Sequence, residues 1–145
     1  MKKIVVLRFI CVFVISVFSC IIVAQDSLSS HDEDYYSQFQ DLENGELRSF
    51  FFFNTPNRYN QNSPYDWLDT VKVYLNSSEK AKDSTSVRNY KLIQAQIYYD
   101  LGNYEKSLAI SRSVYDDMES LDKNVKQTIL ELMDGNYAML QLYDK

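Results

Sequence analysis

Apolar side chains recur at helical spacing along most of the chain, which predicts a succession of amphipathic helices. The first is expected to begin at residues 30–33, where Ser-His-Asp-Glu has the spacing of a capping box. Its apolar face covers residues 35–42, and Asn44-Gly45 predicts a left-handed helix end. The next helix is predicted to begin at Ser63-Pro64 and to reach about Leu75, because serine is a good N-cap and proline suits the first helical position.

Four consecutive phenylalanines, Phe50 to Phe53, lie between these two helices. The run is too short for periodicity to decide between helix and strand. Four adjacent aromatic residues cannot all face one side of a helix, so two interpretations stay open. They plug one end of a helical stack, or they form an exposed aromatic patch for contact with another protein.

Trp67, the lone tryptophan, lies on the apolar face of the second helix and is expected to anchor the core rather than to stack on a ligand. The next helix should begin after an N-cap at Asp83 or Ser84 and run to about Leu101. Gly102 is expected to end it in a left-handed conformation, and a partner helix should follow from Tyr104 to about residue 121.

The tripeptide Gly102-Asn103-Tyr104 returns 33 residues later as Gly135-Asn136-Tyr137. A repeat of that length is typical of arrays of helix hairpins. The sequence therefore predicts a second turn at residues 135–137, followed by a last helix that ends at Lys145. The expected fold is all-α, with antiparallel helix hairpins stacked on one another.

The stretch around the first tripeptide resembles the tetratricopeptide repeat (TPR) family. The matching residues are a small and an aromatic residue of the first helix, the turn, and a small residue of the second helix: Ala95, Tyr98, Gly102, Tyr104 and Ser107. The resemblance implies a short TPR-like α-solenoid that binds a peptide or another protein on the concave face of its first helices. Transferred by position, that face consists of Asn89, Leu92, Ile93, Gln96 and Tyr99. Gln96 and Tyr99 are the strongest candidates for contact, while Leu92, Ile93 and Tyr99 would equally suit packing on the Trp67 helix.

Residues 1–24 have a basic start, an apolar run and a small residue at Ala24, which is the pattern of a secretory signal peptide. Two alternatives remain, an uncleaved membrane anchor and lipidation at Cys20. The remaining chain divides into a tail and aromatic-rich helical segment at residues 25–62 and a TPR-like domain at residues 63–145. The protein is expected to be exported, to the periplasm or the outside of the cell, with membrane contact only through its N-terminus.

The charge of the chain argues against nucleic acid as a partner. The formal net charge is −5, and it becomes −8 once Lys2, Lys3 and Arg8 of the N-terminal segment are removed. An acidic domain lacks the basic face that phosphates require. Both cysteines, Cys11 and Cys20, lie in the same N-terminal segment, so the rest of the chain has no thiol for a disulfide, zinc site or nucleophile.

The sequence offers no pattern of catalytic or cofactor-binding chemistry. It has no glycine-rich phosphate loop and no metal-ligand spacing, and its single histidine, His31, has no second ligand beside it. We therefore expect a non-catalytic protein- or peptide-binding module without cofactor or metal. The alternatives are the N-terminal sensory part of a longer envelope signalling protein, continuing beyond Lys145, and a structural envelope protein.

Overall fold

The computed structural model describes residues 34–116 and 123–141, apart from the side chain of Asn124. The described residues fold into helices and contain no strand, which confirms the all-α prediction. The helices are α1 Tyr35–Asp41, α2 Gly45–Asn54, α3 Pro64–Ala81, α4 Ser84–Asp100, α5 Tyr104–Tyr115 and α6 Lys123–Met139. Three predictions lie outside the described residues: the signal peptide, the capping box at residues 30–33 with His31, and the helix end at Lys145. The predicted end of α5 near residue 121 is wrong, because α5 ends at Tyr115 with its C-cap at Asp116. Within that part of the chain, every helix is too short or too polar to cross a membrane.

Two of the three helix starts predicted from capping residues are confirmed, at Ser63 and Asp83, whereas α1 begins at Tyr35 after an N-cap at Asp34, later than predicted. The side chain of Ser63 accepts a hydrogen bond from the backbone N–H of Asp66, and Asp83 accepts one from that of Ser86. Hydrogen bonds from Ser86 lower the pKa of the Asp83 carboxyl. Gly102 ends α4 in the left-handed region, with φ of 73°. The predicted hairpin between α4 and α5 is therefore present, with its turn at the predicted residue.

The prediction at Asn44-Gly45 is wrong. Asn44 does not end α1 but caps the start of α2, where its side chain accepts a hydrogen bond from the backbone N–H of Leu47. Gly45 is the first residue of α2 and packs directly on α4. A Cβ atom at this position would lie 2.7 Å from the Ser86 Cα, so the missing side chain allows a close helix crossing instead of a left-handed turn. The α3 helix also continues past the predicted end near Leu75, to Ala81.

The second predicted turn is also wrong, because residues 135–137 lie inside the continuous α6 helix. Gly135 packs against the ring of Tyr99, and a Cβ at this position would lie 3.1 Å from the Tyr99 hydroxyl. Asn136 is fully buried and donates hydrogen bonds to the hydroxyl of Ser107 and the carbonyl of Leu132, both at 2.8 Å. Through these contacts, the tripeptide packs α6 against Tyr99 of α4 and Ser107 of α5. The described residues therefore contain one Gly-Asn-Tyr hairpin rather than two.

Trp67 is fully buried at the centre of an aromatic core, which confirms its predicted role as a core anchor. Rings of four residues lie within 6.4 Å of its ring between centroids: Tyr36, Phe39, Phe52 and Tyr59. Residues on both sides of the division expected at residues 62–63 share this core. A second, mainly aliphatic cluster lies between α4, α5 and α6 and contains Leu92, Ala95, Val114, Ile129 and Leu132.

The α4 helix is the central element, since α2, α3, α5 and α6 all pack on it. Arg48, which is buried, fixes α2 in place. Its guanidinium donates hydrogen bonds to the carbonyls of Phe39 and Gln40 and to the hydroxyl of Tyr90 in α4, and it stacks 3.9 Å from the Tyr74 ring centroid. With Gly45 at one end and Arg48 near its middle, α2 lies against the first half of α4 in a defined position.

Candidate functional site

A groove of about 340 Å³ lies between α2, α4 and α6. We call it the α2–α4–α6 groove. Its lining residues are Glu46, Ser49, Phe50, Phe53, Asn54, Asn89, Leu92, Val125 and Thr128. The floor comes from α4, one wall from α2, and the other wall from the first turns of α6. Further along, α6 approaches α4 closely where Gly135 meets Tyr99, so the groove lies towards the starts of the two helices.

The α2 wall is built by residues at spacing i, i+3, i+4, i+7 and i+8, which places Glu46, Ser49, Phe50, Phe53 and Asn54 on one helical face. Phe50 is 71% exposed. Phe53 is half-buried, and its ring stands edge-on to that of Phe52 at 5.4 Å between centroids. Phe52 and Phe53 are therefore packed, while Phe50 presents most of its ring to solvent.

Three of the four phenylalanines are packed and one is exposed, and contact of the exposed residue with another protein stays a prediction. Phe52 is fully buried beside Trp67, and Phe51 and Phe53 pack against the two clusters. Phe50 is the exposed aromatic residue of the set. The run is helical, and a helix necessarily spreads four adjacent side chains around its circumference.

The polar groups of the groove include one carboxylate, two amides and two hydroxyls. The side-chain amide of Asn54 donates to the carbonyl of Phe50 at 2.8 Å, and that of Asn89 donates to the carbonyl of Thr85 at 3.1 Å. Each amide is therefore held on its own helix by one hydrogen bond from its nitrogen. Glu46 is exposed, and no ion pair or hydrogen bond joins its carboxylate to another described residue. A ligand that donates hydrogen bonds or carries positive charge would complement this carboxylate.

Two of the five residues predicted to form the binding face line this groove. Leu92 is 2% exposed and Asn89 is 7% exposed, so both contribute to the floor mainly through their outermost atoms. Ile93 is fully buried in the aromatic core and has no surface to offer. The structure thus brings Asn89 and Leu92 together and separates Ile93 from them.

Gln96 and Tyr99 lie further along α4, outside the groove. The side-chain amide of Gln96 donates to Asp100 at 2.8 Å, and the hydroxyl of Tyr59 donates to the same carboxylate at 2.7 Å. Burial raises the pKa of the Tyr59 hydroxyl, and the Asp100 carboxylate raises it further, so this phenol stays protonated as a structural donor. Tyr99 packs on Tyr104 at 5.4 Å between ring centroids and covers Gly135.

The residues of α2 and α6 that line the groove were not among those expected from the sequence. The transfer by position used α4 alone, whereas the groove needs two further helices. One signal was present, since the spacing from Glu46 to Asn54 places five lining residues on a single face once the segment is read as a helix. The contributions of Val125 and Thr128 depend on how α6 lies across α4, which the local sequence does not specify.

Other depressions lie elsewhere on the described surface. One of about 230 Å³ at the start of α4 has a mixed-charge lining that includes Glu79, Lys82, Arg88 and Lys91, and one of about 440 Å³ lies at the turn between α4 and α5. In the described part of the chain, no group of histidine, cysteine and carboxylate side chains is placed to hold a metal ion. Comparison of the chain with protein-family models, curated proteins and solved structures finds no match.

Proposed function

We propose that this protein is an exported, non-catalytic module that binds a peptide or an extended segment of another protein in the α2–α4–α6 groove. The observation that supports the proposal is the position of Phe50, which is 71% exposed at the rim of a groove that contains Phe53, Leu92 and Val125. A helix that exposes a phenylalanine to solvent beside a partly apolar groove has both parts of a docking site.

The apolar contacts at this site supply part of the free energy of binding. Covering an exposed phenylalanine completely contributes about 1.5–3 kcal/mol. Leu92, Phe53 and Val125 extend the apolar contact into the groove. Other exposed apolar residues, such as Tyr65 and Val73 on α3, do not border this groove, and isolated residues of this kind are normal on protein surfaces.

The resemblance to TPR hairpins supports the same location. In that family the binding face is built by the first helices of successive hairpins, and α4 is the first helix of the hairpin that carries the resemblance. Here α2 and α6 both pack on α4 and leave the groove between them. The proposed binding face therefore includes Asn89 and Leu92 of the expected set, and it adds α2 and α6.

Selection from a random peptide library displayed on phage tests the proposal, with the full-length protein as bait. Peptides that bind the groove should lose most of their binding to Phe50→Asp, because that change puts a charge where the apolar contact forms. The matched control is Tyr65→Asp, which places the same charge at a similarly exposed aromatic position, 64% exposed, away from the groove. Circular dichroism should show that both variants keep the helical content of the parent.

The proposal is wrong if repeated selection yields no saturable peptide. It is also wrong if the selected peptides bind Phe50→Asp as well as they bind the parent. Equal loss of binding in Phe50→Asp and Tyr65→Asp would mean that charge on the surface, rather than the groove, determines binding.

A further inference from the structure

We infer that the segment bound in the α2–α4–α6 groove carries a positively charged side chain close to an apolar one. The inference rests on the proposed function and specifies its ligand. Two observations support it: Glu46 is the one charged residue of the lining, and it lies a fixed distance from the aromatic part of the wall.

The charge of the lining has one sign. Glu46 is the sole charged residue among those that line the groove, and it has no partner among the residues that the structure describes. The other polar groups of the lining are uncharged amides and hydroxyls, which can serve either kind of ligand. A lysine or arginine of the ligand would meet the Glu46 carboxylate, whereas an acidic side chain would meet a like charge.

The spacing along α2 sets the spacing in the ligand. Glu46 and Phe50 are four residues apart, which is about 6 Å along the helix axis, and Glu46 and Phe53 are about 10 Å apart. An extended peptide advances about 3.3 Å per residue. The basic side chain should therefore be two or three positions from the apolar side chain that contacts the phenylalanines.

A second copy of this chain fits the groove less well. In a twofold dimer the same patch meets itself, so the Glu46 carboxylates of the two copies would be brought near each other in an interface that has no basic residue in its lining. A partner with basic side chains removes this repulsion. The charge of the groove thus favours a different molecule over self-association.

The test uses fluorescein-labelled synthetic octapeptides of alanine and serine with one phenylalanine, and with lysine, glutamine or glutamate two or three positions from it in either order. Binding to the full-length protein is followed by fluorescence anisotropy. The lysine peptide should bind more tightly than the glutamine peptide by about two- to fivefold, the range expected for an exposed ion pair, and the glutamate peptide should bind most weakly. Added salt should reduce this preference, because screening weakens exposed charge pairs.

Two substitutions locate the charge. Glu46→Gln should abolish the preference for lysine over glutamine, and Glu46→Lys should reverse it in favour of the glutamate peptide. The control is Glu105→Gln, since Glu105 has the corresponding place in the first turn of α5 and lies outside the groove. This variant should keep the parent's preference.

The outcomes separate this inference from the proposed function. If all three peptides bind the parent equally and Phe50→Asp abolishes their binding, the groove binds peptides but the inference about charge is wrong. If the preference for lysine survives Glu46→Gln, the charge that selects it lies elsewhere and the inference is wrong. Sedimentation that shows a dimer broken by Phe50→Asp would make a second copy the occupant and would overturn the inference. A monomeric chain that binds none of the octapeptides would overturn the inference, and if library selection also yields no peptide, the proposed function is wrong as well.

Discussion

The tripeptide Gly-Asn-Tyr occurs twice in this chain and adopts two different structures. At residues 102–104 it is a turn, with Gly102 left-handed and Asn103 at the N-cap of α5, where its side chain accepts a hydrogen bond from the backbone N–H of Lys106. At residues 135–137 it lies within α6, where Gly135 packs on Tyr99 and Asn136 binds Ser107. The same three residue types therefore form a turn between two helices at one position and lie inside a single helix at the other.

The two tripeptides differ in the surroundings of their glycine and asparagine residues. Around Gly102 there is open space, since the nearest atom to an added Cβ would be the Tyr104 hydroxyl at 4.0 Å, and only the backbone conformation requires glycine. Around Gly135 the backbone is helical, and the neighbouring Tyr99 ring leaves little room for a side chain. Asn103 acts as an exposed acceptor and Asn136 as a buried donor. Substitutions at these paired positions should therefore give different results.

Replacing asparagine by aspartate should give the largest difference in stability between the two tripeptides. Asn136→Asp removes the amide donors and puts a carboxylate in a fully buried position next to the Leu132 carbonyl, so we expect it to lower the free energy of unfolding by more than about 3 kcal/mol near pH 7. Asn103→Asp should change it by less than about 0.5 kcal/mol, because aspartate is as good an N-cap as asparagine. Urea denaturation followed by circular dichroism measures both values.

The pH dependence provides the control for this pair. Burial should raise the pKa of the new carboxyl at position 136 above its unfolded value of about 3.9. Its penalty is then fully present at neutral pH and shrinks as the pH falls towards that value, since a neutral carboxyl no longer has to lose hydration as an ion. A penalty that stays constant with pH would mean that the carboxyl reaches solvent, and would contradict the buried position of Asn136.

The bond between Asn136 and Ser107 should appear as a coupling energy. A double-mutant cycle of Asn136→Ala and Ser107→Ala should give a coupling of about 0.5–1.5 kcal/mol, the net contribution of a buried hydrogen bond. The matched cycle pairs Asn103→Ala with Ser107→Ala, and these two side chains share no hydrogen bond. It should give a coupling close to zero. Additive effects in the first cycle would show that α6 is not held on α5 by this contact.

Local sequence was sufficient for the features that depend on local chemistry. Ser63, Asp83 and Gly102 mark helix boundaries through their own hydrogen bonds or backbone conformation, and each was predicted correctly. Trp67 was identified as a core residue because its neighbours at helical spacing are apolar.

The predictions that failed concern glycines used for close approach. Gly45 follows an asparagine and Gly135 precedes one, and both sequences are common in turns. In the structure Gly45 instead packs on Ser86 of α4, and Gly135 packs on Tyr99 of the same helix. Those partners are 41 and 36 residues away in sequence, so no local pattern contains them. The binding face was only partly predictable for the same reason. Leu92 could be assigned from its position on α4, whereas Phe50 and Val125 join it only through the packing of three helices.

Gly102→Ala should destabilise the protein by about 1 kcal/mol. Alanine at φ of 73° costs about 1–2 kcal/mol in a left-handed conformation, and the reduced entropy of the unfolded chain offsets part of this cost. The added methyl group has room, so no steric penalty is expected. Gly102→Asn, which tolerates the left-handed region better, should restore part of the loss. Thermal unfolding of both variants measures the difference, and an unchanged stability in Gly102→Ala would mean that the turn does not need its left-handed residue.

Gly135→Ala should have the smallest effect, within about 0.5 kcal/mol of the parent. In a helix interior alanine is favoured over glycine by about 1 kcal/mol, and this gain is opposed by a Cβ that would lie 3.1 Å from the Tyr99 hydroxyl. Tyr99 is half-buried, so its ring can shift by the small distance needed. In a Tyr99→Phe background two ring carbons remain 3.2 and 3.3 Å from the added Cβ, so Gly135→Ala should keep nearly the same small effect. If Gly135→Ala instead costs as much as Gly102→Ala in both backgrounds, residue 135 has a left-handed backbone, α6 is broken there, and the two tripeptides form equivalent turns of a repeat.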